Sequence, residues 1–444
     1  MISRRRAAAS PRNDRFTGCI VFLALVTLAA ALITLMTLGS SWALLTLGAA
    51  VMITLLAILG PLRWGFMILT LAFAMVPMYK GLGGGSQVTP PDLLIAIAFV
   101  ALFPRFFRGK ARVPIDFSVG LALMLIFGGI GSIASLHPGT SMFSIMLWVS
   151  VLGFLPLALA ALGLSVKEIQ VLAWAYVAGQ MFDSVYAGAT QHGRWYGLTT
   201  HPNFFGEYAV LAIALLAWLH QYTPRSRHWL VWGCGAVCVL DILMSGSRAA
   251  SLALAVLVLV FPLRERSTKA AFGLAFVGAI GLATFGTLAA HASPDSALGR
   301  LLGQGTVAGS DLQRTQGLQS GWSLFTSHPL TGDGMTFENV FLVHNNYLEV
   351  AVATGVIGFF GYIGLIAAYN RTLFVKGPMH RLGYVALGLT VIMAFEPSLY
   401  DRACWCAAAL AFLAYQRHPA TAMVGSESAA IEQASAQELR GSRT

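Results

Sequence analysis

Read for apolar runs, the chain divides into about fourteen long hydrophobic stretches separated by short polar breaks. They lie near residues 18–38, 42–60, 62–78, 92–104, 117–136, 141–163, 168–189, 204–221, 229–244, 249–263, 270–290, 347–369, 382–398 and 403–416. Most approach the ~20 apolar residues that a helix needs to cross a hydrocarbon core. A backbone in lipid must satisfy its own hydrogen bonds, so uninterrupted runs of this length predict helices. The expected fold class is all-α: a polytopic membrane helix bundle of about 12 to 14 transmembrane helices. The fourth run is short, and losing one pair would give twelve.

The expected division is a basic cytoplasmic N-terminal tail over 1–17, a single membrane domain over 18–416 and a disordered cytoplasmic tail over 417–444, rich in Ala, Ser, Glu and Gln. Arg4-Arg5-Arg6 before the first run imitates a signal peptide, but no small-residue cleavage site follows, so that run is expected to remain as the first helix. The largest break is an outer loop over 291–343. In it Leu318, Trp322 and Phe325 stand at i, i+4 and i+7, which predicts a short helix on the membrane surface. Pro329 and Gly332-Asp333-Gly334 would end it.

Composition agrees: 57% hydrophobic against 10% charged, with mean hydropathy +0.72, excludes a set of soluble domains. A net charge of +10 would in a soluble chain suggest nucleic acid as a partner. Placement removes that reading. All but six of the 28 Lys and Arg fall on one side of the predicted bundle, the exceptions being Lys80, Arg194, Arg248, Arg300, Arg314 and Arg402. Positive loops stay cytoplasmic, so both termini are expected on the cytoplasmic side. Cys404 and Cys406 lack the second pair or neighbouring His of a zinc site and read as helix-packing residues.

Four polar blocks fall at the outer helix ends: His192 to Asn203, Ser245-Gly246-Ser247-Arg248, Arg314 through His328-Pro329 to His344-Asn345 and Glu349, and Tyr400-Asp401-Arg402. Plain structural readings exist for each, with Ser247 as a helix cap and arginines reaching to headgroups. Carboxylates within apolar runs, Asp183, Glu207, Asp241 and Glu396, would each cost about 2.5–3.5 kcal/mol at mid-membrane and need partners. Ion pairs such as Glu207 with Arg194 or Asp183 with Arg248 are the conservative expectation. Outer guanidinium groups suit bidentate phosphate recognition, and a neutral His beside them suits general-base work near pH 7. A phosphate at a membrane face is a lipid phosphate or diphosphate.

These blocks resemble the O-antigen ligase and polymerase superfamily of bacterial integral-membrane glycosyltransferases. Gly193-Arg194 with Gly197 and His201-Pro202-Asn203, then Ser245-Gly246-Ser247-Arg248-Ala249-Ala250, then the outer loop, then His344-Asn345 followed by Gly355 and Gly358, keep the family's order and spacing. Arg314 departs from it, because no Trp follows four residues on. The resemblance implies transfer of a glycan from polyprenyl (undecaprenyl) diphosphate to an acceptor sugar hydroxyl outside the membrane, by a ligase or polymerase in O-antigen, lipopolysaccharide or exopolysaccharide assembly. It implies catalytic roles for His344, Arg248 and Arg194. Asn345, Ser247, His201, Asn203, Arg314 and Glu349 would bind substrate, with Asn345 and Glu349 holding the His344 tautomer. Implied partners are the lipid-linked glycan donor, a glycan or lipid-linked acceptor, membrane lipid, and flippase and chain-length-control proteins.

No Asp-x-Asp motif or outer His/carboxylate cluster suits Mg2+ or Mn2+, so neither metal nor cofactor is expected. The rival from another class is a transporter or flippase of lipid-linked glycan. Its sites would lie at the midplane between repeated halves, and no repeat is evident.

Overall fold

The computed structural model describes residues 60–78, 89–107, 111, 113–135, 137–199, 201–294, 296–304, 307–334, 343–397 and 399–415. Both expected tails, the run at 18–38 and all of the run at 42–60 except Gly60 lie outside these residues. The described segments are helical, with no strand among them. In chain order they are α1 (Pro61–Met75), α2 (Pro90–Phe106), α3 (Ile115–Ala134) and α4 (Pro138–Ala161), the last with a π-helical segment at Val149–Phe154. There follow α5 (Val166–Thr190), α6 (Pro202–Leu219), α7 (His228–Ser245), α8 (Arg248–Glu265), α9 (Thr268–Ala290) and the short α10 (Ala297–Leu301). The last four are α11 (Val307–Ser327), α12 (Asn346–Asn370), α13 (Gly383–Ile392) and α14 (Arg402–Tyr415).

The chain falls into two compact units, Met1–Ala72 with Asp92–Phe107, and Phe73–Pro91 with Arg108–Thr444. In the first, a Cβ on Gly65 of α1 would lie 2.8 Å from Cβ of Ala101, so α1 and α2 approach closely there. All candidate site residues belong to the second.

In the second unit α6 is central, packing on α5, α7, α8, α13 and α14. Its sequence is apolar on every face, as a helix surrounded by others requires, and Phe205, Tyr208, Leu211, Leu215 and Trp218 are fully buried. Beside it α3 and α12 run against each other over most of their length. Small residues permit that approach: a Cβ on Gly120 would lie 2.5 Å from the carbonyl oxygen of Gly361. Cys404 and Cys406 are buried in α14.

Each expected run within the described residues meets a helix, but six alone combine the length and hydropathy of an independent span: Pro61–Met78, Ile115–Ala134, Pro138–Ala161, Pro202–Leu219, Arg225–Ser245 and Asn346–Phe374. The expected 12 to 14 is not reached by this measure. The measure covers the described residues alone, so the runs at 18–38 and 42–60 are not counted, and within it α5 carries Lys167, Glu168, Gln180 and Asp183 while α8 carries Arg248, Arg264 and Glu265. The run expected at 382–398 is also corrected, because α13 ends at Ile392. Pro397 lacks an N–H and disfavours helical geometry at Glu396. The loosened carbonyls of Met393 and Ala394 accept from Asn346 N (2.8 Å) and Asn345 Nδ2 (3.1 Å), which anchors the start of α12.

Candidate functional site

Four segments remote in sequence meet at one end of the second unit, and the carboxylate of Glu396 joins three of them. Glu396 Oε1 accepts from Asn203 Nδ2 at 2.5 Å and from Arg314 at 2.6 Å, and Oε2 lies 3.7 Å from Nδ1 of His344. Glu396 is 2% exposed, so its charge is met by protein groups with little help from water. Asn203 in turn accepts from Arg194 at 3.2 Å through its Oδ1.

Local sequence explains how these groups arrive. The loop carrying Arg194 is held by Gln191, whose Oε1 accepts from the amides of Tyr196 (2.8 Å) and Gly197 (3.0 Å) and whose Nε2 donates to Gly197 O (2.9 Å). Gly197 adopts φ +55°, and a Cβ there would run into the carboxylate of Asp183, so glycine is required on both counts. The loop docks on the end of α7 through Trp195 N to Met244 O (3.0 Å) and Arg194 Nε to Ser245 O (2.7 Å).

Gly246 closes α7 in a left-handed cap, and Ser247 opens α8 by accepting from Ala250 N at 3.3 Å. That turn presents Arg248, which grips Asp311 of α11 with both terminal nitrogens. The pair holds the Asp311 carboxyl below its ordinary range, chiefly through the hydrogen bond from Arg248. Asp311 and Arg314, three apart, share one helical face, so α11 ties Arg248 and Glu396 together.

His344 stands just before α12 with φ +50°. Among the described residues its Nδ1 has no hydrogen-bond partner, and Glu396 Oε2 lies 3.7 Å from it. The stretch from Pro329 to Gly334 braces the same helix from outside. Asp333 N donates to Val352 O (2.8 Å), Gly334 N to Ala353 O (3.2 Å) and Val356 N to Pro329 O (2.8 Å). The helix breaks at Gly355, where φ is +67° and a Cβ would run into the carbonyl oxygen of Leu330. The spacing from His344 to Gly355 thus records where the loop crosses α12.

The structure sorts the residues expected from sequence. Arg194, Asn203, Arg314 and His344 come together, and Arg248 joins them through Asp311. Ser247 is fully buried and its Oγ serves as a cap. His201 caps α6, its ring Nδ1 accepting from Asn203 N at 3.3 Å. Asn345 caps α12, its Oδ1 accepting from Leu348 N at 3.0 Å while its Nδ2 donates to Ala394 O. Glu349 lies in the first turn of α12, and no hydrogen bond links its side chain to His344.

The expected pairing of Asp183 with Arg248 gives way to other partners, because Asp183 accepts from Leu198 N at 2.6 Å and Arg248 holds Asp311. Tyr400-Asp401-Arg402 starts α14: Asp401 accepts from Ala403 N (3.0 Å) and Tyr208 OH (2.6 Å). The helix expected around Leu318 and Trp322 is longer, Val307–Ser327, with Trp322 exposed. Sequence reasoning passed over Glu396 and Asp311 as site residues. The signal for Glu396 was a carboxylate in an apolar run beside a proline, and for Asp311 an acid one turn from an outer arginine.

An all-helical membrane protein with a buried carboxylate hub, flanked by arginines and a histidine at one end, is the class these features define. Residues 234–363 match the family model described as O-antigen ligase, which bears out the resemblance to the O-antigen ligase superfamily and supports an O-antigen ligase-like role in surface-polysaccharide assembly. The match includes Arg248, Asp311, Arg314 and His344; Arg194, Asn203 and Glu396 lie beyond its ends and are joined to it by the contacts above. No curated protein matches the chain.

Proposed function

We propose that this protein is a lipid-diphosphate-dependent glycosyltransferase that moves a glycan from polyprenyl diphosphate to an acceptor sugar hydroxyl on the outer side of the cytoplasmic membrane. Both termini then lie in the cytoplasm. The observation that carries the reading is the meeting of Arg194, Asn203, Arg314 and His344 around Glu396, next to Arg248.

In the proposed reaction Glu396 receives the Nδ1–H of His344 and so leaves Nε2 as the base. The acceptor hydroxyl gives its proton to Nε2 as its oxygen attacks the anomeric carbon. The bond from that carbon to the diphosphate oxygen breaks with inversion, and the lipid diphosphate leaves with the electron pair. Arg194 and Arg248 offset the negative charge that grows on it. Arg248 exchanges Asp311 for phosphate, and Arg314 holds Glu396 in place.

The test is reconstitution of the full chain in liposomes with undecaprenyl-diphosphate-linked glycan, adding lipid A core or a second lipid-linked unit in turn. The acceptor that grows separates ligase from polymerase. Arg248→Ala and His344→Ala are expected to insert normally and to lose transfer by about 10²–10⁴-fold. Wild-type product from both variants would overturn the assignment. Lipid-linked glycan that crosses the bilayer with no acceptor elongated would favour the transporter instead.

A further inference from the structure

At the end of the bundle away from Glu396, a cavity of about 810 Å³ opens between α6, α7, α8 and α9. That is within the ~300–1,000 Å³ typical of ligand sites. Its shape follows from the chain. The two-residue turn Gly246-Ser247 joins α7 to α8 tightly at one end, and both helices lie on α6. The cavity lining runs along both helices toward His220, Glu265 and Arg381 at the other end. The walls are apolar, with Val231, Leu254, Leu257 and Phe261 among them. Two glycines, Gly235 on α7 and Gly273 on α9, also line it, and a Cβ built on either would meet nothing within 4 Å. The recess is therefore open beside both backbones.

The rim is basic. Glu265 is the one carboxylate among the lining residues and Arg381 lines the rim beside it, while Arg264, Arg266 and Lys269 adjoin lining residues along the chain. Glu265 is engaged by Arg381 (2.7 Å) and His380 (2.6 Å), whereas Arg264 donates to the carbonyl oxygens of Leu373 (2.6 Å) and Val375 (3.4 Å), which do not neutralise it. His220 adds a ring at the mouth, packed on His228 with centroids 4.1 Å apart. An apolar wedge between membrane helices that ends in surplus positive charge matches a lipid with an anionic head: chains in the wedge, phosphate at the rim.

We infer that this groove is a binding site for an anionic glycerophospholipid, distinct from the Glu396 cluster. Its position at the far end of the bundle separates it from the groups assigned to the reaction, so its occupant is a resident of the bilayer and not the glycan donor. The inference stands independently of the proposed transfer activity. Filling the wedge closes α7, α8 and α9 around a common core that the protein alone leaves open.

The experiment is native mass spectrometry of the full chain in detergent, titrated with phosphatidylglycerol or phosphatidylcholine. Phosphatidylglycerol is expected to remain bound at least tenfold more tightly than phosphatidylcholine. Gly235→Leu and Gly273→Leu should fill the recess without a clash and reduce retention by tenfold or more. Gly233→Leu, on the same helix in equally open space but outside the groove, should retain the lipid as wild type does. Arg264→Gln should narrow the preference between the two lipids. Equal retention of both lipids, or retention unaffected by the two filling substitutions, overturns the proposal. So does preferential binding of undecaprenyl phosphate in a competition, which would make the groove a polyprenyl site.

Discussion

Two carboxylates, Glu396 and Glu265, sit at opposite ends of the same bundle, and each gathers an arginine and a histidine. At Glu265 both oxygens are engaged at short range: His380 Nε2 at 2.6 Å and Tyr384 OH at 3.0 Å on one, Arg381 at 2.7 Å on the other. Its partners come from one short stretch, and together they fasten the end of α8 to the first turn of α13 and the segment before it. At Glu396 the partners come from three distant segments, and the histidine stands off at 3.7 Å, beyond hydrogen-bond reach. A saturated carboxylate holds structure. One whose histidine is near but unbonded retains capacity to take a proton donor during a reaction, and apo geometry at working sites is commonly long in this way.

Neutralising each carboxylate should separate the two ends most sharply. Glu396→Gln is expected to lower glycan transfer about 10²-fold or more, because the amide cannot stabilise an imidazolium at His344. Glu265→Gln should leave turnover per folded molecule near wild type while costing about 1–3 kcal/mol of stability through the lost charged hydrogen bonds. Transfer assays normalised to folded protein, alongside thermal unfolding, check both. If Glu265→Gln also abolished turnover, the contrast between the ends would fail.

Gly355→Ala follows in size. The substitution meets a positive φ and the Leu330 carbonyl at once, and strain of this kind costs about 1–3 kcal/mol. Because the break seats the Pro329–Gly334 stretch at the outer end, activity should fall with stability. An alanine elsewhere in α12, at the open side of Gly364, should do neither. Unfolding and transfer measured on both variants would test this.

Acid should loosen the inner latch in a predictable direction. Burial alone would raise the Glu265 carboxyl, yet hydrogen bonds from Arg381 and His380 hold it below its ordinary 4.5. A depressed carboxyl contributes stability above its unfolded value and loses it as pH falls through the folded value. The difference in melting temperature between wild type and Glu265→Gln should therefore persist at neutral pH and shrink below about pH 4. A difference that grew with acid would contradict the pairing.

Much of this was legible in the sequence. Apolar runs located the helices because hydropathy is a local property, and Arg194, Asn203, Arg314 and His344 stood out because polar groups at apolar helix ends need a reason. What escaped was set by tertiary partners. Whether α13 continued to 398 depended on Asn345 and Asn346, fifty residues earlier, taking the carbonyls of Ala394 and Met393. Glu396 could be flagged as costly, but its three partners span residues 203 to 344 and no spacing rule links them. Ser247, His201 and Asn345 drew attention for the same polarity, and their short-range bonds turned out to be helix caps.

The caps offer the finest comparison between the ends. Ser247 caps α8 beside the Glu396 cluster, and Ser267 caps α9 beside the Glu265 latch, accepting from Ala250 N at 3.3 Å and Ala270 N at 3.2 Å. An alanine at either removes one acceptor for an orphan helix amide and should cost about 1 kcal/mol. The two sites differ in burial, since Ser247 is fully enclosed and its backbone sets the direction of Arg248. If Ser247 is a cap alone, Ser247→Ala and Ser267→Ala should lower stability alike and leave transfer per folded molecule within about twofold. A loss of transfer confined to Ser247→Ala, with a raised KM for donor and unchanged stability, would instead place its hydroxyl on the substrate and extend the outer site by one residue.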